Sequence, residues 1–127
     1  MLEERLMFKL LKELKKSGIT LHYLKAYSTD SCYVKIDYGA SCSIRISNHK
    51  GIEKYKYRFN LMTDIEKSYE KDGRKYYCVK DISKLINDVK KERHERRRYS
   101  DYEYWLEQNK EACYRKRKGF WERCRKF

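Results

Sequence analysis

The residues best equipped for chemistry lie near the end of this chain. Residues 90–127 hold 14 lysines and arginines against 7 acidic residues. All but Lys110 come in runs: Lys90–Lys91, Arg93, Arg96–Arg97–Arg98, then Arg115–Lys116–Arg117–Lys118, then Arg123, Arg125 and Lys126. Tyr99, Tyr102, Tyr104, Trp105, Tyr114, Phe120 and Trp121 interleave with them. A guanidinium is a rigid planar fork that matches phosphate, and its plane stacks on bases. Aromatic faces beside such groups suit RNA or single strands, whose bases are unstacked. A solvated basic helix with its aromatics in a core would give the same pattern, and the pattern alone divides between the two. No RNP sequence, GXXG loop or zinc finger is legible.

An enzyme needs a nucleophile, a base or a metal cluster. The histidines are His22, His49 and His94. His49 follows Arg45 and Ser47 at the end of an expected strand, while Asp30 and Ser31 precede another. Short polar side chains at such positions ordinarily hydrogen-bond local backbone and build turns. No P-loop, HExxH, GxSxG or paired-carboxylate signature is present. The expectation is a non-enzyme with no catalytic residue, no cofactor and no metal. Cys32, Cys42, Cys78, Cys113 and Cys124 make an odd count without a CxxC pair, which reads as reduced thiols rather than a disulfide frame or a zinc site.

The elements that must position these groups fit a chain of 127 residues, about one domain, with a formal net charge of +13. Charged residues make up 40% and aromatics 15%, including 13 tyrosines, which separates the chain from aromatic-poor disordered polyelectrolytes. A compact body at +13 attracts polyanions. No apolar run approaches the ~18–20 residues of a membrane span, and the first residues lack a signal-peptide pattern, so neither secretion nor membrane association is expected, and a cytoplasm is the expected location.

Leu2, Leu6, Leu10 and Leu14, widened by Met7 and Leu11, predict an amphipathic helix over 1–17 that ends at Gly18. Short aromatic and β-branched segments follow: Thr20–Tyr27, Cys32–Tyr38, Ser41–Ser47, Glu53–Leu61 and Lys75–Lys80. In the fourth, Tyr55, Tyr57, Phe59 and Leu61 alternate with Lys54, Lys56, Arg58 and Asn60, one face packed and one wet. Residues 62–72 read as a polar connector. Asp81 then caps a helix with the stripe Ile82, Leu85, Ile86 and Val89. Ser100 and Glu103 have capping-box spacing for a further helix, which Gly119 ends. The expected fold is α+β: an N-terminal helix, a four- to five-stranded antiparallel sheet, then C-terminal helices with a basic extension. Residues 1–89, at +6, form the core domain, and 90–127, at +7, form the basic aromatic helical extension. Oligomeric state stays open.

Asp30, Ser31 and Tyr33, followed by Ile44, Arg45, Ile46, Ser47, Asn48 and His49, form an Asp-Ser-x-Tyr step and a strand ending Ile-Arg-Ile-Ser-Asn-His. In this the chain resembles small phage and prophage α/β proteins of Gram-positive hosts, one branch of which is the broad-spectrum anti-CRISPR inhibitors of type II CRISPR nucleases. Gly73 and the Ser83–Lys84–Leu85 helix start match more loosely, and the resemblance covers about residues 22–90. In that branch the basic arm precedes the core; here it follows. The resemblance implies a phage-encoded, non-catalytic protein that binds a type II CRISPR nuclease with its guide RNA and blocks target DNA cleavage. The expected contacts are Arg93, Arg96, Arg97, Arg98, Arg115, Lys116, Arg117 and Lys118, with Arg45 and His49 on a second surface. Reversing the charge of Arg96, Arg97 and Arg98 is expected to weaken inhibition and leave folding intact. The alternatives are a general RNA- or single-stranded-DNA-binding accessory protein, and a nuclease using His49.

Overall fold

The computed structural model describes residues 2–26, 30–48, 50–51, 53–61 and 74–127. Helix α1 (Leu2–Lys15) starts with Glu3 and Glu4 and finishes with Lys12 and Lys15, charges that complement its dipole. Its stripe of Leu6, Met7, Leu10, Leu11 and Leu14 is buried, and Gly18 leaves the helix at φ 71°, a left-handed turn that glycine adopts without steric cost.

The chain then crosses a sheet strand by strand. β1 (Leu21–Lys25), β2 (Cys32–Ile36), β3 (Cys42–Ile46), β4 (Tyr57–Leu61) and β5 (Arg74–Tyr77) pair antiparallel with their neighbours in sequence. Helix α2 (Ile82–Arg96) follows, then α3 (Tyr102–Tyr114) and the single turn α4 (Phe120–Arg123). A two-residue strand, β6 (Arg125–Lys126), returns to pair with β1, giving the order β5-β4-β3-β2-β1-β6. The fold is α+β, with six strands among the described residues rather than four or five. The expected strands are each found, most of them shorter, and the last begins one residue early, at Arg74; the connector 62–72 lies outside the described residues.

Period-two alternation divides the sheet into two faces. On one, Leu21, Val34, Ile36, Ile44, Ile46, Tyr57 and Phe59 are almost wholly buried against the α1 stripe and against Leu85 and Val89 of α2. Tyr77 joins them, and its hydroxyl donates to Asp88 of α2 at 2.6 Å. The opposite face carries His22, Tyr33, Lys35, Ser43, Arg45, Arg58, Arg74 and Tyr76. Helices α3 and α4 fold onto this second face at its β1–β2 end. There Trp121 meets His22 edge-on at 5.2 Å and lies 6.2 Å from Tyr38, and the Lys35 ammonium sits 4.8 Å and 5.3 Å from the ring centres of Phe120 and Trp121.

Two helix boundaries differ from the sequence expectation. The Ser100–Glu103 box does not open α3. Asp101 occupies the cap position without a side-chain capping bond, and its carboxylate accepts from Arg96 instead. Gly119, at φ 91°, precedes α4, whereas α3 has already ended at Tyr114.

Candidate nucleic-acid interface

The expected basic contacts separate into two groups. Arg93 donates to Asp37 at 2.7 Å, and Asp37 is itself buried in the turn between β2 and β3, where it also accepts from Ser41. Asp37 and Tyr38 both take positive φ there, at 54° and 59°, a conformation rare for non-glycine residues. The Asp37 carboxylate therefore fixes a strained turn to α2. Arg96 is more enclosed: its side chain is 3% exposed and donates to Asp101 at 2.5 Å, joining the end of α2 to the start of α3. Reversing Arg96 would set two carboxylates against each other, so the expectation that all three reversals spare the fold does not hold for this residue.

Arg97, Arg98, Arg115, Arg117 and Lys118 are exposed. Arg98 reaches Glu95, and Arg115 and Arg117 share Glu111, in solvated pairs that leave most of each guanidinium free. Lys116 is exposed too, but its ammonium is engaged, donating to the Cys124 carbonyl at 3.2 Å and to its sulfur at 3.4 Å. His49 lies outside the described residues.

Arg45 belongs to a cluster that the sequence reading did not assemble. The register places Leu24 opposite Tyr33, Tyr33 opposite Arg45, Arg45 opposite Arg58, and Arg58 opposite Tyr76. One row therefore crosses the open face from β1 to β5, and Arg74 lies one step along β5 from its end. Arg45 holds its guanidinium 5.6 Å from the Tyr33 ring centre and donates to the Ser31 hydroxyl at 3.1 Å. Tyr76 packs against Tyr55 at 6.3 Å. Among the described residues no carboxylate pairs with Arg45, Arg58 or Arg74; the ion pairs lie elsewhere. The Nε of each of the three is buried without a hydrogen-bond partner. Partial burial, then the like charges of Arg45 and Arg74, lower the pKa of Arg58. Like charges directly opposite each other on paired strands oppose folding. Three such groups held together, with no counter-charge among the described residues, make a concentrated positive site.

The other constellation with chemical potential is His22, Cys113 and Cys124, under α3 and α4. The Cys113 sulfur lies 3.5 Å from His22 Nε2. Burial, and then Lys126 and Lys116, push the imidazole down to about 4, while burial and the neighbouring Cys124 push the Cys113 thiol up. Both shifts favour the neutral forms, the reverse of the thiolate–imidazolium pair that activates a cysteine nucleophile. Among the described residues no group of three or more His, Cys, Asp or Glu is arranged to hold a metal ion, and no helix is long and apolar enough to cross a membrane.

Comparison of the chain with protein-family models, with curated proteins and with solved structures returns no match.

Four residues of the open-face row went unassigned as contacts in the sequence: Tyr33, Arg58, Arg74 and Tyr76. The alternation through 54–61 does put Arg58 on the wet face, but the convergence depends on strand register, which no single segment contains.

Proposed function

We propose that this protein is a non-catalytic binder of nucleic acid, and that the strand it engages is the RNA or target DNA of a type II RNA-guided nuclease, whose cleavage it blocks. The observation that carries nucleic-acid binding is the cluster of Arg45, Arg58 and Arg74, unpaired by any carboxylate among the described residues, on a sheet face with tyrosines at hand. The exposed Arg97, Arg98, Arg115, Arg117 and Lys118 add a second basic surface on the C-terminal helices. Support for the nuclease as setting comes from the positions behind the resemblance. Arg45, in contact with Ser31 and with the Tyr33 ring on that same face, is shared by the motif and the anion-seeking cluster. A basic protein suits a guide-loaded complex, which exposes phosphate; imitating DNA would require an acidic surface.

The test is target-DNA cleavage by a panel of type II nucleases, with and without a molar excess of the protein, at two salt concentrations. Inhibition of at least one nuclease that survives added salt supports a specific inhibitor. Inhibition that disappears with salt or with bulk competitor RNA assigns the protein to general RNA or single-stranded-DNA binding, because phosphate contacts alone are steeply salt-dependent.

A further inference from the structure

We infer that the row Tyr33–Arg45–Arg58–Tyr76, with Arg74 beside it, is a platform for a short single strand of nucleic acid running across the β-strands, with phosphate on the guanidiniums and bases stacked on the two tyrosines. This rests on the nucleic-acid-binding reading above and specifies the form of nucleic acid and the surface.

The placement follows from the register. Tyr33 on β2 and Tyr76 on β5 are separated by three inter-strand intervals, about 14 Å, and both arginines between them point to the same face. Charge is therefore concentrated at the centre of the row and aromatic surface at its two ends. A strand crossing it would set backbone at the middle and base faces to either side, over a footprint on the order of four nucleotides, the short end for sheet-based single-strand binders. A duplex offers phosphates to the arginines but keeps its base faces stacked inside, so the tyrosines would gain nothing from it. An acidic peptide could satisfy the guanidiniums but has no flat rings to stack at the ends of the row.

The three unpartnered Nε groups support a ligand rather than a merely solvated surface. Each Nε is enclosed with no partner among the described residues, and an anion over the row offsets the charge that these enclosed groups carry. Arg45 is held in place by Ser31 and the Tyr33 ring before any ligand arrives. Helices α3 and α4 set the boundary of the platform, because they cover the same face at His22 and Lys35.

The experiment is fluorescence anisotropy with a labelled 12-mer of oligo-uridylate or oligo-thymidylate and with a mixed-sequence 12-mer, single-stranded and annealed, over a salt series. The proteins are wild type, Tyr76→Leu, Tyr76→Phe and Tyr33→Leu. The platform requires tighter binding to single strands than to duplex. It also requires Tyr76→Leu and Tyr33→Leu each to lose roughly five- to a hundredfold in single-strand affinity, with the salt slope and duplex binding unchanged, and Tyr76→Phe to retain affinity. Tyr76 is on an edge strand and partly exposed, so its variants are a fair test even if Tyr33→Leu perturbs folding. Duplex bound as tightly as single strand, tyrosine variants without effect, or poly-glutamate competing as well as the oligonucleotide would overturn the platform while leaving a basic binder standing. Failure to bind any nucleic acid would overturn the platform together with the reading beneath it.

Discussion

Replacing Arg58 with methionine should make the protein more stable and a poorer binder at once. Arg58 faces Arg45 directly across the β3–β4 pair and has Arg74 on the diagonal of the β4–β5 pair. Opposed like charges on adjacent strands cost about 0.2–1 kcal/mol for each pair. Methionine keeps the aliphatic stem over the sheet and deletes both repulsions along with a buried donor that has no acceptor. A gain of about 0.5–1.5 kcal/mol is expected, which for a domain of this size raises the melting temperature by roughly 2–6 °C. The gain should be largest at low salt and shrink as the Debye length falls. On single-stranded oligonucleotide the same variant loses one phosphate contact, so the slope of log affinity against log salt should flatten by about 0.7. Thermal melts monitored by circular dichroism and anisotropy titrations, both at 50 and 300 mM salt, read the two effects on one sample. A variant that melts lower at every salt concentration and keeps the wild-type slope would refute the argument, because Arg58 would then be a structural residue.

Further predictions concern the remaining buried groups. Arg96→Glu should destabilise by about 3 kcal/mol or more, because it puts an unpaired carboxylate in the enclosed Arg96 position, beside the half-exposed Asp101, while Arg97→Glu and Arg98→Glu should each stay within about 0.5 kcal/mol; urea denaturation separates them. Arg93→Leu should cost about 1–3 kcal/mol, since it strips the buried Asp37 carboxylate of its cation, and the same titration reads it. His22 is neutral in the fold, with its pKa lowered to about 4, so the unfolded chain binds more protons between pH 6.5 and 4 and stability falls as pH drops through that window. At pH 4.5 the wild type should lose about 2–3 kcal/mol relative to pH 7.5 from this group, and His22→Gln should remove most of that dependence in paired denaturation curves. Cys78 is the only cysteine of the five that is not buried, and burial pushes the Cys32 thiol up to about 11; an aromatic disulfide reagent should therefore label Cys78 first and the others only on unfolding.

The helices and strands whose hydrophobic period is strong were legible from sequence. The leucine stripe of α1 and the alternation through Tyr57 and Phe59 each contain their own burial pattern, and the core forms where those patterns meet. Features set by partners outside a single periodic segment were not legible. Arg96 sits in a basic run and reads as solvated, yet it is buried because Asp101 lies within reach across the α2–α3 turn. That pairing also removed Asp101 from capping and displaced the Ser100–Glu103 expectation. β6 is two charged residues, without an apolar alternation to announce it. For the candidate site, Arg45 was visible as a motif residue, but its meeting with Arg58 and Arg74 belongs to strand register, which two-residue periodicity cannot fix between segments.

The return of the chain to β1 has a consequence for the order in which the fold comes apart. With α2 docked, the chain between Arg96 and Arg125 must close a loop of about thirty residues, an entropic cost of about 3 kcal/mol. The seam it closes is only two registered residue pairs, extended by the Phe127 amide on the Leu21 carbonyl. Backbone bonds worth about 1 kcal/mol each barely offset that closure, so the Trp121 cluster, and Phe127 packed on Phe8 and Tyr23, have to hold the flap. Amide exchange should follow this hierarchy: protons in β2, β3 and α1 exchange only with global unfolding, whereas those of Arg125, Phe127 and α4 exchange through a smaller, partial opening. Such an opening bares His22 and Lys35 on the same side of the sheet as the guanidinium row, and it becomes easier as the imidazole gains its proton. The flap and the platform thus share one surface, whose extent is set by a local equilibrium rather than by the sheet alone.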